Sequence, residues 1–136
     1  MARPGMDSIS PMFVVTDVNR TAAFYREKLG FEKAYPDPEI DSFFATMRRD
    51  GVMIFFKSQS GVNPVPNSSL HPRLKWDAYV YVPDPDALAA ELASNGLEFH
   101  KPLGDTSEGL RGFEVRDPDG YVLFFGRPVP PKHENA

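Results

Sequence analysis

Few side chains of this 136-residue chain are suited to nucleophilic or metal chemistry. Cysteine is absent, which removes thiolate nucleophiles, thiolate metal sites and disulfides. The three histidines, His71, His100 and His133, have no second ligand at metal-binding spacing. The sequence also lacks a Gly-x-Ser-x-Gly elbow and a Gly-x-x-x-x-Gly-Lys phosphate loop. Of the histidines, only His100 follows a predicted helix at a point where a strand could direct it into a cleft.

Aromatic and charged residues at alternate positions of the predicted strands are the remaining candidates. Side chains two residues apart on a strand share a face. This alternation groups Ser10 with Met12 and Val14; Met53 with Phe55 and Lys57; Asp77 with Tyr79 and Tyr81; and Val122 with Phe124, with Glu114 and Arg116 beside them. Aromatic walls with a few charges suit a flat organic molecule or a cation. The alternative is plain packing, for instance against a second subunit.

Two hairpins must position these residues. Residues 112–116 and 121–125 are β-prone and flank Asp117-Pro118-Asp119-Gly120, in which Pro and Gly favour a tight turn. An earlier Asp50-Gly51 also precedes an apolar run that ends in Phe-Phe, and it predicts a hairpin of residues 42–48 and 52–57.

The segments before each hairpin also match. In the first half we predict a strand over 10–15, a helix from the Asp17 cap to Gly30, and a strand over 31–35. In the second half we predict a strand over 74–82, a helix from Asp84-Pro85 to Gly96, a strand over 97–101 and a loop from 102 to about 109.

Corresponding landmarks lie 66 to 69 residues apart, which indicates a duplication. We therefore predict one α+β domain over 1–136, in which two tandem βαβββ modules form a curved mixed sheet around a central cleft. The modules are residues 8–57 and 74–127, joined by a linker over 58–73 that is rich in Ser, Asn, Pro and Gly.

This pattern resembles the vicinal oxygen chelate superfamily, which includes glyoxalase I, bleomycin-resistance proteins, fosfomycin-resistance enzymes and extradiol dioxygenases. The resemblance is carried by Val15-Thr16-Asp17, Phe24-Tyr25-Arg26, Leu29-Gly30-Phe31 and Arg116-Asp-Pro-Asp-Gly120, and it covers residues 9 to 127. The second half is most similar to the bleomycin-resistance branch.

The resemblance implies four positions where metal-dependent relatives place a ligand. They are occupied here by Ser10, Phe55, Asp77 and Phe124. Phenylalanine cannot ligate, and one carboxylate with one hydroxyl is too small a donor set for a divalent ion. We therefore expect no metal and no other cofactor.

The resulting hypothesis is a metal-free protein that binds or sequesters an aromatic or cationic compound, such as an antibiotic. We expect aromatic residues to stack on the ligand, Asp77 and Glu114 to hold its positive groups and Arg111 to clamp an edge. Strand alternation, however, places the Trp76 side chain on the helix-facing side of its strand. The expected ligand-binding residues are Met12, Phe55, Trp76, Asp77, Tyr79, Arg111, Glu114 and Phe124.

Two alternatives remain open. One is a lyase, isomerase or thiol transferase of the same superfamily whose metal is held differently. The only candidate residues for such a site are Glu114, His100 and Asp77. The other is an interaction or stress-associated module without a small-molecule ligand.

Partners and location follow from composition and resemblance. The net charge of −4 argues against nucleic acid, and no apolar run could span a membrane. The N-terminus lacks the apolar core of a signal peptide, so we expect a cytoplasmic protein. The resemblance implies a homodimer, and the bleomycin-resistance branch suggests an exchanged N-terminal strand.

Overall fold

The computed structural model describes residues 2–34 and 43–130. Its first module contains β1 (Met12–Val14), α1 (Val18–Leu29), β2 (Glu32–Lys33), β3 (Phe44–Arg49) and β4 (Val52–Lys57). A four-residue helix, α2 (Asn67–Leu70), follows. The second module contains β5 (Ala78–Tyr81), α3 (Pro85–Ser94), β6 (Lys101–Asp105), β7 (Leu110–Arg116) and β8 (Val122–Pro128).

Each module forms one four-stranded mixed sheet, in the orders β1-β4-β3-β2 and β5-β8-β7-β6. The first strand of each module pairs in parallel with the last, and the other pairs are antiparallel. The predicted α+β fold of two βαβββ modules is confirmed. Across the described ranges no ladder joins the sheets, so they are two sheets rather than one.

The helix boundaries follow the predicted signals. Asp17 accepts a hydrogen bond from the Arg20 amide at 3.1 Å, and Gly30 ends α1 in the left-handed conformation, with φ of 72°. Asp84 caps α3 in the same way through the Ala87 amide at 3.0 Å. No helix in the described ranges has both the length and the apolar character needed to cross a membrane.

The strand predicted over 97–101 is wrong, as is the first half of the loop predicted over 102–109. Pairing begins where the His100 amide donates to the Glu114 carbonyl, and β6 continues from there to Asp105. Pro102 is tolerated because β6 is an edge strand, with an irregular register between Lys101 and Gly104. Leu97 is buried in the core instead of extending a strand.

Three other strands, β1, β2 and β5, are shorter than predicted, whereas β7 and β8 extend beyond their predicted bounds. The first strand begins at Met12 rather than at residue 10, and β5 covers only four of the nine residues expected. β2 has two residues, and the predicted strand end at Tyr35 and hairpin start at residue 42 lie outside the described residues.

One apolar core serves both modules. It combines side chains of α1 and β4, such as Tyr25 and Phe56, with side chains of α3 and β7, such as Leu92 and Phe113. Because this core uses the helix-facing side of each sheet, the opposite faces are left for other contacts.

The first junction between the modules, formed by α1 and the β7–β8 turn, is held by buried hydrogen bonds and an aromatic stack. The Tyr25 hydroxyl donates to Asp117 Oδ2 at 2.9 Å. The Tyr121 ring stacks on Phe13 with centroids 4.4 Å apart, and its hydroxyl donates to the Val14 carbonyl at 2.6 Å. Asp119 accepts a hydrogen bond from the Thr16 amide at 3.2 Å.

The second junction, formed by α3 and the β3–β4 turn, corresponds to the first in the internal repeat and borders a cavity of about 650 Å³. Its lining includes Val52 and Leu92, which stand in the repeat where Tyr121 and Tyr25 stand in the first junction. Arg49 and Glu91 cross this junction as a two-bond ion pair, with both distances 2.8 Å.

Candidate functional site

Four of the expected ligand-binding residues meet on the face of the second sheet that is turned away from α3. Phe124 lies opposite Glu114 on the neighbouring strand and beside Tyr79 on the other. The Trp76 ring stacks on Phe124, with centroids 4.8 Å apart and planes inclined by 27°. Tyr79 contacts both rings, at 5.5 Å from Trp76 and 5.1 Å from Phe124. We call Trp76, Tyr79, Glu114 and Phe124 the aromatic–acid cluster.

Two glycines set the position of the Phe124 ring. Gly112 and Gly126 are directly paired across β7 and β8. A Cβ atom at Gly112 would lie 2.6 Å from Phe124 Cζ and 2.2 Å from the Phe125 carbonyl oxygen, and one at Gly126 would lie 2.4 Å from Phe124 Cε2. The ring therefore lies against bare backbone, which holds it along the sheet and exposes its far side to Trp76.

Glu114 places a carboxylate at the edge of this stack. Glu114 as a whole is only 5% exposed, and its Oε2 atom accepts a hydrogen bond from Trp76 Nε1 at 3.2 Å. Lys101 Nζ stands 3.8 Å from Oε2, and His100 Nε2 stands 3.9 Å from Oε1. These two nitrogen atoms lie beyond hydrogen-bond distance, so among residues 2–34 and 43–130 the Trp76 indole makes the one side-chain hydrogen bond to this carboxylate.

The expectation that the Trp76 side chain faces the helix is wrong. Trp76 precedes β5, which begins at Ala78, so strand alternation does not govern its side chain. Its carbonyl instead accepts a hydrogen bond from Asn67 Nδ2 at 3.0 Å, and its ring turns to the same side as Tyr79.

Asp77 has its carboxylate fully engaged by the backbone. Oδ1 accepts from the Asn67 amide at 2.8 Å, and Oδ2 accepts from the Val122 amide at 2.9 Å. These bonds fix the start of α2 and the start of β8 relative to β5. The structure thus brings Asp77 next to the cluster but uses its charge to position the chain.

The other expected residues lie elsewhere. Arg111 forms a bidentate pair with Asp86 on α3, at 2.8 and 2.9 Å, and contacts Asp105 at 3.0 Å. Met12 and Phe55 are neighbours on the first sheet, where Phe55 stacks on Phe44 with centroids 5.9 Å apart and Met12 is 60% exposed.

The Tyr79 hydroxyl is the one buried side-chain polar atom in the described ranges without a hydrogen-bond partner. Burial, with a smaller effect of nearby Tyr81, raises the pKa of this phenol, so it is neutral at physiological pH. A buried hydroxyl without a partner costs free energy, which a ligand offering a donor or an acceptor would recover.

The donor set does not fit a metal ion. The residues at the four family positions are Ser10, Phe55, Asp77 and Phe124, and both carboxylate oxygens of Asp77 accept backbone hydrogen bonds. No three His, Cys, Asp or Glu side chains converge anywhere in residues 2–34 and 43–130. Glu114 and His100 therefore lack a third ligand.

Comparison with known proteins decides the family. The model of the Glyoxalase/Bleomycin resistance protein/Dioxygenase superfamily matches residues 6–125. The chain belongs to this superfamily. None of the curated proteins searched matches this superfamily member by sequence.

Several solved structures are similar to this chain over nearly its whole length. A bleomycin-binding protein of Streptomyces verticillus, complexed with copper(II)-bleomycin, is 25% identical with a TM-score of 0.66, covering 95% of this chain and 100% of that one. TioX from Micromonospora sp. ML1 is 23% identical with a TM-score of 0.67, covering 89% and 98%. A bleomycin-binding protein complexed with bleomycin is 21% identical with a TM-score of 0.65, covering 90% and 98%.

Sequence reasoning missed three residues of the site. Gly112 and Gly126 carried a usable signal, because an isolated glycine inside a strand marks a close approach. Lys101 carried none, since its position beside Glu114 depends on the start of β6 at an irregular register.

Proposed function

We propose that this superfamily member binds a planar, positively charged aromatic molecule at the aromatic–acid cluster, without a metal and without turnover. The observation that carries the proposal is the buried Glu114 carboxylate at the edge of the Trp76–Phe124 stack. The aromatic faces would bind the rings of the ligand, and the carboxylate would bind its charge.

The exposure of Lys101 leaves Glu114 accessible to a competing cation. Lys101 is 61% exposed in its side chain and lies 3.8 Å from Glu114, so water screens this ion pair and an incoming cation can replace the ammonium. The net charge of −4 attracts cations at long range. Two of the similar structures hold bleomycin, which supports sequestration of an antibiotic or a related compound as the biological role.

Isothermal titration with 9-aminoacridine, a planar cation, tests the proposal. Glu114→Gln keeps the shape of the side chain and removes its charge, and we expect it to weaken binding roughly tenfold. The planar anion 9-anthracenecarboxylate should bind the wild-type protein more weakly than 9-aminoacridine does. Equal affinities for the cation and the anion, or no effect of Glu114→Gln, would refute the role of the carboxylate.

We also propose that the protein is a cytoplasmic homodimer whose subunits exchange their N-terminal strands. Its support is the apolar exposure around the first strand, where Met6 is 94%, Ile9 92% and Met12 60% exposed. Burial of these side chains by a partner would be favourable. Sedimentation analysis of the full chain and of a variant lacking residues 2–9 tests this, with a dimer expected for the first and a monomer for the second. A monomeric full chain would refute it.

A further inference from the structure

Trp76 already makes the contacts that the proposed function assigns to a ligand. Its flat ring stacks on Phe124 at 4.8 Å, and its ring N–H donates to Glu114 Oε2 at 3.2 Å. An indole is itself a planar heteroaromatic molecule with one polarised N–H group. The side chain therefore occupies the position and makes the hydrogen bond that a ligand of that class would require.

The free space beside Trp76 is small. The cavity bordered by Trp76, Gly112, Glu114, Phe124 and the β6–β7 turn measures about 290 Å³. Small-molecule sites generally begin at about 300 Å³. Departure of the indole would enlarge this cavity and uncover the face of Phe124 for a ligand of two or three fused rings.

The indole can leave without a rearrangement of the backbone. The carbonyl of Trp76 is held by Asn67 Nδ2, and Asp77 is held by two backbone amides, so both residues stay in place. The Trp76 side chain is only half-buried and is not part of β5. Rotation about its own side-chain bonds moves the ring into solvent.

We propose that Trp76 is an internal substitute for the ligand, and that the site takes a planar heteroaromatic of two or three fused rings with a ring N–H or protonated ring nitrogen. This inference rests on the proposed function and adds to it the class of ligand and the group that the ligand displaces. Glu114 exchanges the indole N–H for the N–H of the ligand, and Phe124 exchanges one stacked ring for another.

Titration of 9-aminoacridine into wild-type protein, Trp76→Ala and Trp76→Phe tests the displacement. Removal of the competing stack and hydrogen bond should tighten binding to Trp76→Ala about tenfold. Trp76→Phe keeps a ring on Phe124 but lacks the N–H, so its affinity should lie between the other two. Thermal unfolding of each variant checks that the fold is retained.

A second readout uses the fact that Trp76 is the one tryptophan of the chain. With 5-fluorotryptophan incorporated, binding of 9-aminoacridine should move the fluorine resonance to the frequency found in urea-unfolded protein, because the indole enters water. This measurement stands even where Trp76→Ala fails to fold.

The possible outcomes separate the two proposals. If the wild-type protein binds 9-aminoacridine and Trp76→Ala binds it equally or more weakly, Trp76 is a fixed wall, and the displacement is refuted while the proposed function stands. A fluorine resonance that stays at its folded position on binding has the same meaning. If neither the wild-type protein nor Trp76→Ala binds, the proposed function itself fails.

Discussion

The Tyr25 hydroxyl donates a hydrogen bond to Asp117 Oδ2 at 2.9 Å and thereby joins the first helix to the turn of the last hairpin. Both residues are buried. Burial raises the pKa of Asp117 to about 6, although hydrogen bonds from Tyr25, Tyr121 and Asp119 act in the opposite direction. Burial, followed by the proximity of Asp117, also raises the pKa of Tyr25 well above its usual value.

This pKa predicts a pH-dependent contribution to stability. The folded protein holds the Asp117 proton more tightly than the unfolded chain does, so the contribution is complete below about pH 4 and is lost as the pH rises through about 6. The lost amount is about 2–3 kcal/mol of unfolding free energy. Urea unfolding at several pH values should reveal it as a difference between the wild-type protein and Asp117→Asn.

Asp117→Asn is the suitable control because it cannot titrate. Asparagine can accept from the Asp119 and Tyr121 amides while its amino group donates to the Tyr25 hydroxyl. Between about pH 4 and pH 7 the unfolding free energy of the wild-type protein should fall by about 2–3 kcal/mol relative to that of Asp117→Asn. Parallel curves for the two proteins would contradict the pKa of Asp117.

The sequence was sufficient for the fold and for part of the site, for identifiable reasons. Caps such as Asp17 and Gly30 act within a few residues, so local chemistry determines them. β6 was missed because Pro102 indicates a loop, and only the edge position of the strand makes it acceptable. The roles of Trp76 and Asp77 depend on hydrogen bonds to Asn67, which belongs to another element.

Gly112→Ala should damage the second sheet. The added Cβ would lie 2.2 Å from the Phe125 carbonyl oxygen and 2.6 Å from Phe124 Cζ, so the ring and the strands must separate. We expect a loss of about 3 kcal/mol in unfolding free energy, measured by urea unfolding. Gly51→Ala, whose Cβ would meet nothing within 4 Å, is the matched control and should change stability by less than about 0.5 kcal/mol.

Asp77→Asn should destabilise the protein through the backbone. The carboxylate serves the Asn67 amide with one oxygen and the Val122 amide with the other, and asparagine supplies only one acceptor. The N–H left without a partner costs about 1–3 kcal/mol by thermal or urea unfolding. Asp105→Asn changes an exposed ion pair to Arg111 and should cost under about 1 kcal/mol. Equal effects of the two substitutions would contradict the positioning role of Asp77.

Lys101→Ala should strengthen the binding of a cation. Its ammonium stands 3.8 Å from Glu114 Oε2 and competes for the same charge. Because the pair is exposed on the lysine side, we expect a gain of about threefold in the affinity for 9-aminoacridine, larger at low salt than at high salt. Lys28→Ala, on α1, is the comparison and should leave the affinity unchanged. Weaker binding by Lys101→Ala would show that the lysine itself contacts the ligand.

The two junctions between the modules use different residues at corresponding positions, with consequences for how the two halves of the chain can pair. A second module paired with a copy of itself would bury Asp117 against Leu92, which has no hydroxyl to donate. A first module paired with its own copy would set the Tyr25 hydroxyl against Arg48, whose side chain can donate to the phenol oxygen but cannot accept its proton. The buried Tyr25–Asp117 hydrogen bond thus forms only between unlike halves of the chain.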